Sequence, residues 1–150
     1  MKKLLLCSIV GIFALTSCRK DDDATPSIVG VWKESKTLIL SATDGKVIIE
    51  ETPDACAEKN TYTFTSDGKY ITKTFYTAPD KTCVEDGSET KTYVYDATTK
   101  KITTTHSSGA TGHVYVKSNT ATELQLSDNK EVRDYNGDGV KDEEITIYKK

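Results

Sequence analysis

From Ile28 onward, apolar residues alternate with Thr, Lys and Ser over short runs. That is the period of a strand with one face buried. Thr61-Tyr62-Thr63-Phe64-Thr65 shows it most clearly: Tyr62 and Phe64 share one face and the threonines take the other. Outside the N-terminal apolar segment no window carries a sustained i, i+3, i+4 apolar stripe, so no amphipathic helix is expected. Thr, Tyr, Val and Ile are abundant, and these residues suit a pleated surface.

Asp-Gly pairs punctuate the runs. Asp44-Gly45 separates residues 37–41 from 46–51, and Asp67-Gly68 separates 59–65 from 69–77. Glycine accepts the positive φ of a tight hairpin turn, and Asp tolerates it better than most residues. A second hairpin turning at Asp67 places Phe64 opposite Tyr70, an aromatic cross-strand pair worth about 0.5–1 kcal/mol. An earlier strand starts within residues 28–33. Further runs span 89–96, 100–105, 112–117, 120–127, a short 130–133, and 144–149. These make eight to ten short antiparallel strands at hairpin spacing. An all-β, up-and-down barrel is the expected fold, because closure removes exposed edges. A two-sheet β-sandwich is the alternative.

The N-terminus reads differently. Met1-Lys2-Lys3 is a short basic region, and residues 4–15 form an apolar run. A membrane-spanning helix needs roughly 20 apolar residues, so this run reads as an export signal rather than an anchor. It ends in Leu15-Thr16-Ser17-Cys18, which resembles the lipobox of bacterial lipoproteins. That resemblance implies removal of residues 1–17 and acylation of Cys18 with chains such as palmitate. Residues 18–27 then form a polar tether, and residues 28–150 the domain. Arg19-Lys20-Asp21-Asp22-Asp23 resembles the surface-export signal of certain Gram-negative lipoproteins. The implied location is the outer membrane, lipid-anchored and facing the cell surface, with periplasmic attachment as the alternative.

Charge narrows the partners. The chain carries 20 basic and 23 acidic residues, a net −3. Loss of Lys2 and Lys3 with the signal leaves 133 residues at −5. An acidic domain lacks the basic patch that phosphate neutralisation needs, so nucleic acid is not an expected partner.

Ile28-Val29-Gly30-Val31-Trp32-Lys33 contains a Gly-x-Trp element that resembles the start of lipocalins. Residues 61–70, with their aromatic strand, Asp-Gly turn and aromatic return, lie between Cys56 and Cys83. Together with Tyr93-x-Tyr95-Asp96 they look like bacterial lipocalin-like lipoproteins. The resemblance implies that Trp32 packs across the closed barrel end and that Gly30 permits a close approach. Animal lipocalins carry a helix after the strands; none is legible here, so a reduced barrel is expected.

Three groups of residues could carry chemistry. Asp134-Tyr135-Asn136-Gly137-Asp138-Gly139-Val140-Lys141-Asp142 places oxygen side chains at positions 1, 3, 5 and 9 with glycine at 6. That is the spacing of a calcium loop, with Asp134, Asn136, Asp138, the Val140 carbonyl and Asp142 as ligands. Position 12 is Ile145, so the closing glutamate of an EF-hand is missing, and Glu144 is an additional candidate ligand. The expected role of Ca²⁺ is structural. With Cys7 discarded and Cys18 acylated, Cys56 and Cys83 remain. They flank the Asp67 hairpin, whose ends meet in space, so a disulfide is expected. His106 and His113 could face each other across a hairpin, but no third metal ligand is legible, and both are expected to be exposed.

No nucleophile elbow, P-loop or metalloprotease motif occurs, and an enzyme is not expected. The leading expectation is a lipid-anchored lipocalin-like module that captures a small, partly apolar ligand. Tyr62, Phe64, Tyr70, Tyr93 and Tyr95 are the candidate lining. The alternative is a surface protein that binds protein or glycan partners on its outer face. An interior void of a few hundred Å³, open at one end, discriminates between the two.

Overall fold

A computed structural model describes residues 27–128 and 133–150. The signal segment, Cys18 and the tether through residue 26 lie outside the described residues. So do residues 129–132, where most of the short 130–133 run was expected; Arg133 itself is not in a strand.

Nine strands form one antiparallel sheet: β1 Gly30–Leu40, β2 Val47–Glu51, β3 Thr61–Phe64, β4 Lys69–Thr77, β5 Cys83–Asp96, β6 Lys101–Thr105, β7 Thr111–Asn119, β8 Glu123–Ser127 and β9 Glu143–Lys149. Among the described residues the only helical element is one 3₁₀ turn, Ala57–Lys59. Each strand from β3 to β9 pairs with the next, and β9 pairs back onto β1, so the sheet closes like a ring. A single cyclic sheet, rather than two facing ones, removes the sandwich alternative.

The ring has eight positions although there are nine strands. β3 pairs with Gly30–Trp32 and β2 with Thr37–Leu40, both antiparallel to β1. β9 runs along the other edge from Lys33 to Leu40. β2 and β3 therefore share one position, interrupted by residues 52–60.

β1 joins two runs that read as separate strands. Its pairing with β9 shifts between Glu34 and Lys36, leaving Ser35 as the extra residue of a bulge. A bulge resets the alternation. Trp32 and Glu34 share the inward face before it, and Thr37 and Ile39 share it after. β5 is likewise longer than its alternating part. It begins at Cys83 rather than at residue 89, because the segment through Glu85 pairs with Phe75–Thr77 while showing no apolar periodicity.

Consecutive strands reverse direction, so alternate turns fall at the same end of the ring. Turns 65–68, 97–100 and 120–122 gather with Gly30 and Lys150 at one end. Connections 41–46, 78–82 and 106–110, with Asp128 and residues 133–142, gather at the other. The first end is packed. Trp32, Ile102 and Leu124 are fully buried, with Ile28, Phe64 and Val116 nearly so. The Trp32 indole N–H donates to the Ile28 carbonyl at 2.8 Å, and the Lys150 ammonium stands 4.5 Å from the ring centroid. Gly30 has φ +149°, and a Cβ there would lie 2.7 Å from Lys150 Cε. Glycine at this position therefore both relieves the backbone and lets the lysine stem pass. Neighbouring turns are stitched at this end by Tyr93 N–H to Gly68 O, Val116 N–H to Lys100 O and Lys150 N–H to Thr122 O.

Candidate functional site: a one-ended interior cavity

Three strands run from the packed end to the other and change character on the way. On β9 the inward side chains are Tyr148, then Thr146, then Glu144. On β8 they run Leu124, Leu126, and on β6 Ile102, Thr104. β9 and β6 exchange bulk for polarity as they climb, while β8 stays apolar to Leu126 and meets the polar Asp128 just past its end. The result is a cavity of about 250 Å³ in the upper half of the ring. Ligand pockets commonly span roughly 300–1,000 Å³, so this one falls just below that range and has room only for a compact molecule.

The floor is apolar: Phe64, Tyr70, Ile102, Leu126 and Tyr148. The Phe64 and Tyr70 rings stack at 4.7 Å, as the hairpin register Phe64↔Tyr70 requires. Burial pushes the hydroxyls of Tyr70 and Tyr148 well above the ordinary tyrosine range, so both stay neutral donors. The walls and mouth are polar: Thr104, His113, Ser127, Asp128, Glu144 and Thr146. Among the described residues Glu144 makes no ion pair. Below the floor only about 10 Å³ remains between Trp32, Tyr62 and Leu124, at the limit for one water. The cavity is thus open at one end and blind at the other.

Of the five aromatic residues expected to line the interior, Phe64 and Tyr70 do so. Tyr62 borders the small gap below and meets Tyr148 edge to face at 5.1 Å. Tyr93 and Tyr95 pack against the buried cluster and do not line the 250 Å³ cavity. Tyr93 meets Phe64 edge to face at 5.0 Å and donates its hydroxyl to Thr65 O at 2.8 Å. The pattern of the sequence did not mark Ile102, Leu126 or Tyr148, and singled out His113 and Glu144 only as candidate metal ligands, not as cavity lining. Continuing the inward parity of each strand to its end would have found all but His113.

The two histidines do not meet. His106 Nδ1 lies 2.8 Å from Glu89 Oε1 outside the ring, while His113 lines the cavity and meets Tyr115 edge to face.

Two ties brace the open side. Cys56 and Cys83 form a disulfide with Cα atoms 5.4 Å apart, joining residues 52–60 to the start of β5. Asp54 reinforces it, accepting from the Cys56 and Ala57 N–H groups and from the Thr77 hydroxyl. These contacts, the Ala57 N–H foremost, hold the Asp54 carboxyl below the usual range. The second tie is Thr43 in the β1–β2 turn, whose hydroxyl donates to Asp138 Oδ2 at 2.6 Å in the neighbouring connection that leads into β9.

The five candidate calcium ligands sit in the β8–β9 connection. Asp134 accepts from the Gly137 and Gly139 N–H groups, Asn136 Oδ1 from Asp138 N–H, and Asp138 Oδ1 from Val140 N–H. The Thr43 hydroxyl is the foremost of the groups that hold the Asp138 carboxyl below its ordinary range. Asp142 is only 1% exposed. Among the described residues no three His, Cys, Asp or Glu side chains converge as a ready metal cluster.

A search of curated proteins returns no match. A family profile described as a lipocalin-like domain matches residues 28–126, from the residue that caps Trp32 to Leu126 on the cavity floor. The match covers two thirds of the chain, and with the closed antiparallel sheet and its one-ended interior it places the protein in the lipocalin-like domain family.

Proposed function

We propose that this protein binds a small, partly apolar molecule noncovalently in the 250 Å³ cavity, as a lipid-anchored module of the bacterial outer envelope. The observation that carries the reading is the polarity gradient. An aromatic floor at Phe64, Tyr70 and Tyr148 would take the apolar body, while His113 and Glu144 would meet a polar end at the mouth. Such a mixed lining suits oriented capture, because a few convergent polar groups fix the direction of an otherwise apolar ligand. The expected outer face for attachment rests on Cys18 and on the basic and acidic residues that follow it.

Native mass spectrometry of the protein purified from its own cells tests the binding reading. The expected result is a small-molecule adduct that is absent from Thr104→Phe, a variant that fills the cavity from its wall. A bare wild-type mass, or an adduct retained in a folded Thr104→Phe, would overturn it. For the anchor, Cys18→Ala is expected to move the protein from the membrane fraction to the soluble one. Protease added to whole cells should degrade the wild-type protein if it faces outward and spare it if it faces the periplasm.

A further inference from the structure

Asp142 is the anomaly of the open end. Its carboxylate is buried at 1% exposure and turned onto the connecting loop, where Oδ2 accepts the Tyr135 N–H at 2.6 Å. Its own N–H donates to Arg133 O, so this one residue closes the base of the loop. Yet Oδ1 is sealed from solvent and has no hydrogen-bond partner among the described residues. A buried carboxylate oxygen without a donor is costly, and such groups in folded proteins normally find a partner. A cation would supply one.

The rest of the loop offers oxygens in the right order. Asp134, Asn136 and Asp138 alternate along the chain ahead of Asp142, and the Val140 carbonyl lies between. Gly139, with φ +85°, makes the turn that brings the later donors back toward the first. Asp134 Oδ2 already holds the Gly139 N–H at 2.9 Å, curling the loop around its own first residue. Three carboxylates, one amide and a backbone carbonyl are hard oxygen donors in a flexible loop. That chemistry favours Ca²⁺ over Mg²⁺, which demands near-ideal octahedral geometry and keeps its waters. The carboxylates are not gathered into a cluster here because their oxygens rest on backbone N–H groups. Each such oxygen retains a second lone pair for a cation.

We propose that residues 134–142 form a Ca²⁺ site whose occupation gives the buried Asp142 Oδ1 its partner and clamps the mouth of the cavity. The clamp follows from position. The loop springs from the strands that carry Asp128 and Glu144 on the cavity rim. Through Asp138 it also holds Thr43 in the β1–β2 turn. A cation that gathers Asp138 and Asp142 therefore pulls three strand ends together. The site lies outside the matched family segment, and its occupation does not depend on whether the cavity holds a ligand.

Terbium luminescence on the full chain in detergent tests the site, with Tyr135 in the loop as the sensitiser. Tb³⁺ emission should rise on binding and be displaced by Ca²⁺, with a dissociation constant on the order of 10⁻⁴–10⁻³ M. Millimolar Ca²⁺ should raise the thermal midpoint and EDTA should lower it again. Asp142→Asn should abolish both responses. Because that variant alters a buried group, Asp138→Asn, which is exposed, serves as the second test and should weaken Ca²⁺ binding at least about tenfold, its Ca²⁺ response being read against its own metal-free midpoint. Absent terbium emission with an unmoved midpoint at about 10 mM Ca²⁺, or wild-type affinity in Asp138→Asn, would overturn the proposal.

Discussion

The two ends of the ring are held together by different means. The end at Trp32 is held by burial: three fully buried apolar side chains, a lysine over the indole and turns stitched by backbone bonds. The end at Glu144 has a few buried side chains, Ile39 and Ile145 among them, but adds discrete ties, the Cys56–Cys83 disulfide and the Thr43–Asp138 hydrogen bond, around a space of about 250 Å³. A cavity cannot be stabilised by filling it, so the open end has to be braced from its rim. The difference teaches where this domain places stability and where it places capacity.

The largest test of the contrast strikes the packed end. Trp32→Ala removes a fully buried ring with its bond to Ile28 and its lysine contact, and is expected to cost about 3–5 kcal/mol in urea unfolding. A loss under about 1 kcal/mol would mean that burial does not hold this end.

Removing the tie on the other side comes next. The disulfide closes a separation of 27 residues, and Cys56→Ala with Cys83→Ala is expected to lower stability by roughly 3–4 kcal/mol in the chain-entropy description. Hydrogen exchange should then quicken in residues 52–60 and the β4–β5 hairpin, ahead of the Trp32 strand. Uniform quickening around the ring would erase the distinction between the ends.

Acid offers a smaller and more selective test. Asp54 and Asp138 have pKa values held below the ordinary 3.8 by the hydrogen bonds they accept. A lowered folded pKa stabilises fully above the unfolded value and is lost as pH falls through the folded one. Below pH 3.8, amide protection at Ala57 and Val140 should therefore fall while the Trp32 indole N–H stays protected. The smallest effect is expected at the rim: Glu144→Gln should leave stability within about 0.5 kcal/mol, because the side chain is exposed and unpaired. Its signature would be altered retention of the native-mass adduct.

Much of the fold was legible, and the exceptions have physical causes. Alternation gave most strands, the Asp67-Gly68 turn fixed the Phe64↔Tyr70 register, and the hairpin flanks pointed to the disulfide. β1 looked like two strands because Ser35 adds one residue and inverts the parity of all that follow. The first half of β5 was invisible because it is largely solvated and so has no apolar face to show. The cavity was half legible for a different reason. Aromatic content marks residues that can line an interior, but Tyr93 and Tyr95 spend their rings on packing. The polar wall is drawn from β6, β7, β8 and β9, which only ring closure brings together.

Ile28, the first buried residue among those described, enters the ring at the packed end, where its carbonyl caps the Trp32 indole. Any leash pulling from upstream therefore hauls on the most tightly held part of the molecule. Under the anchoring proposed at Cys18, the mouth would face away from the lipid surface. Nine residues, 19–27, would span at most about 30 Å fully extended, so the proposed anchor would hold the packed end nearest the lipid and leave the opening at the far side of the ring.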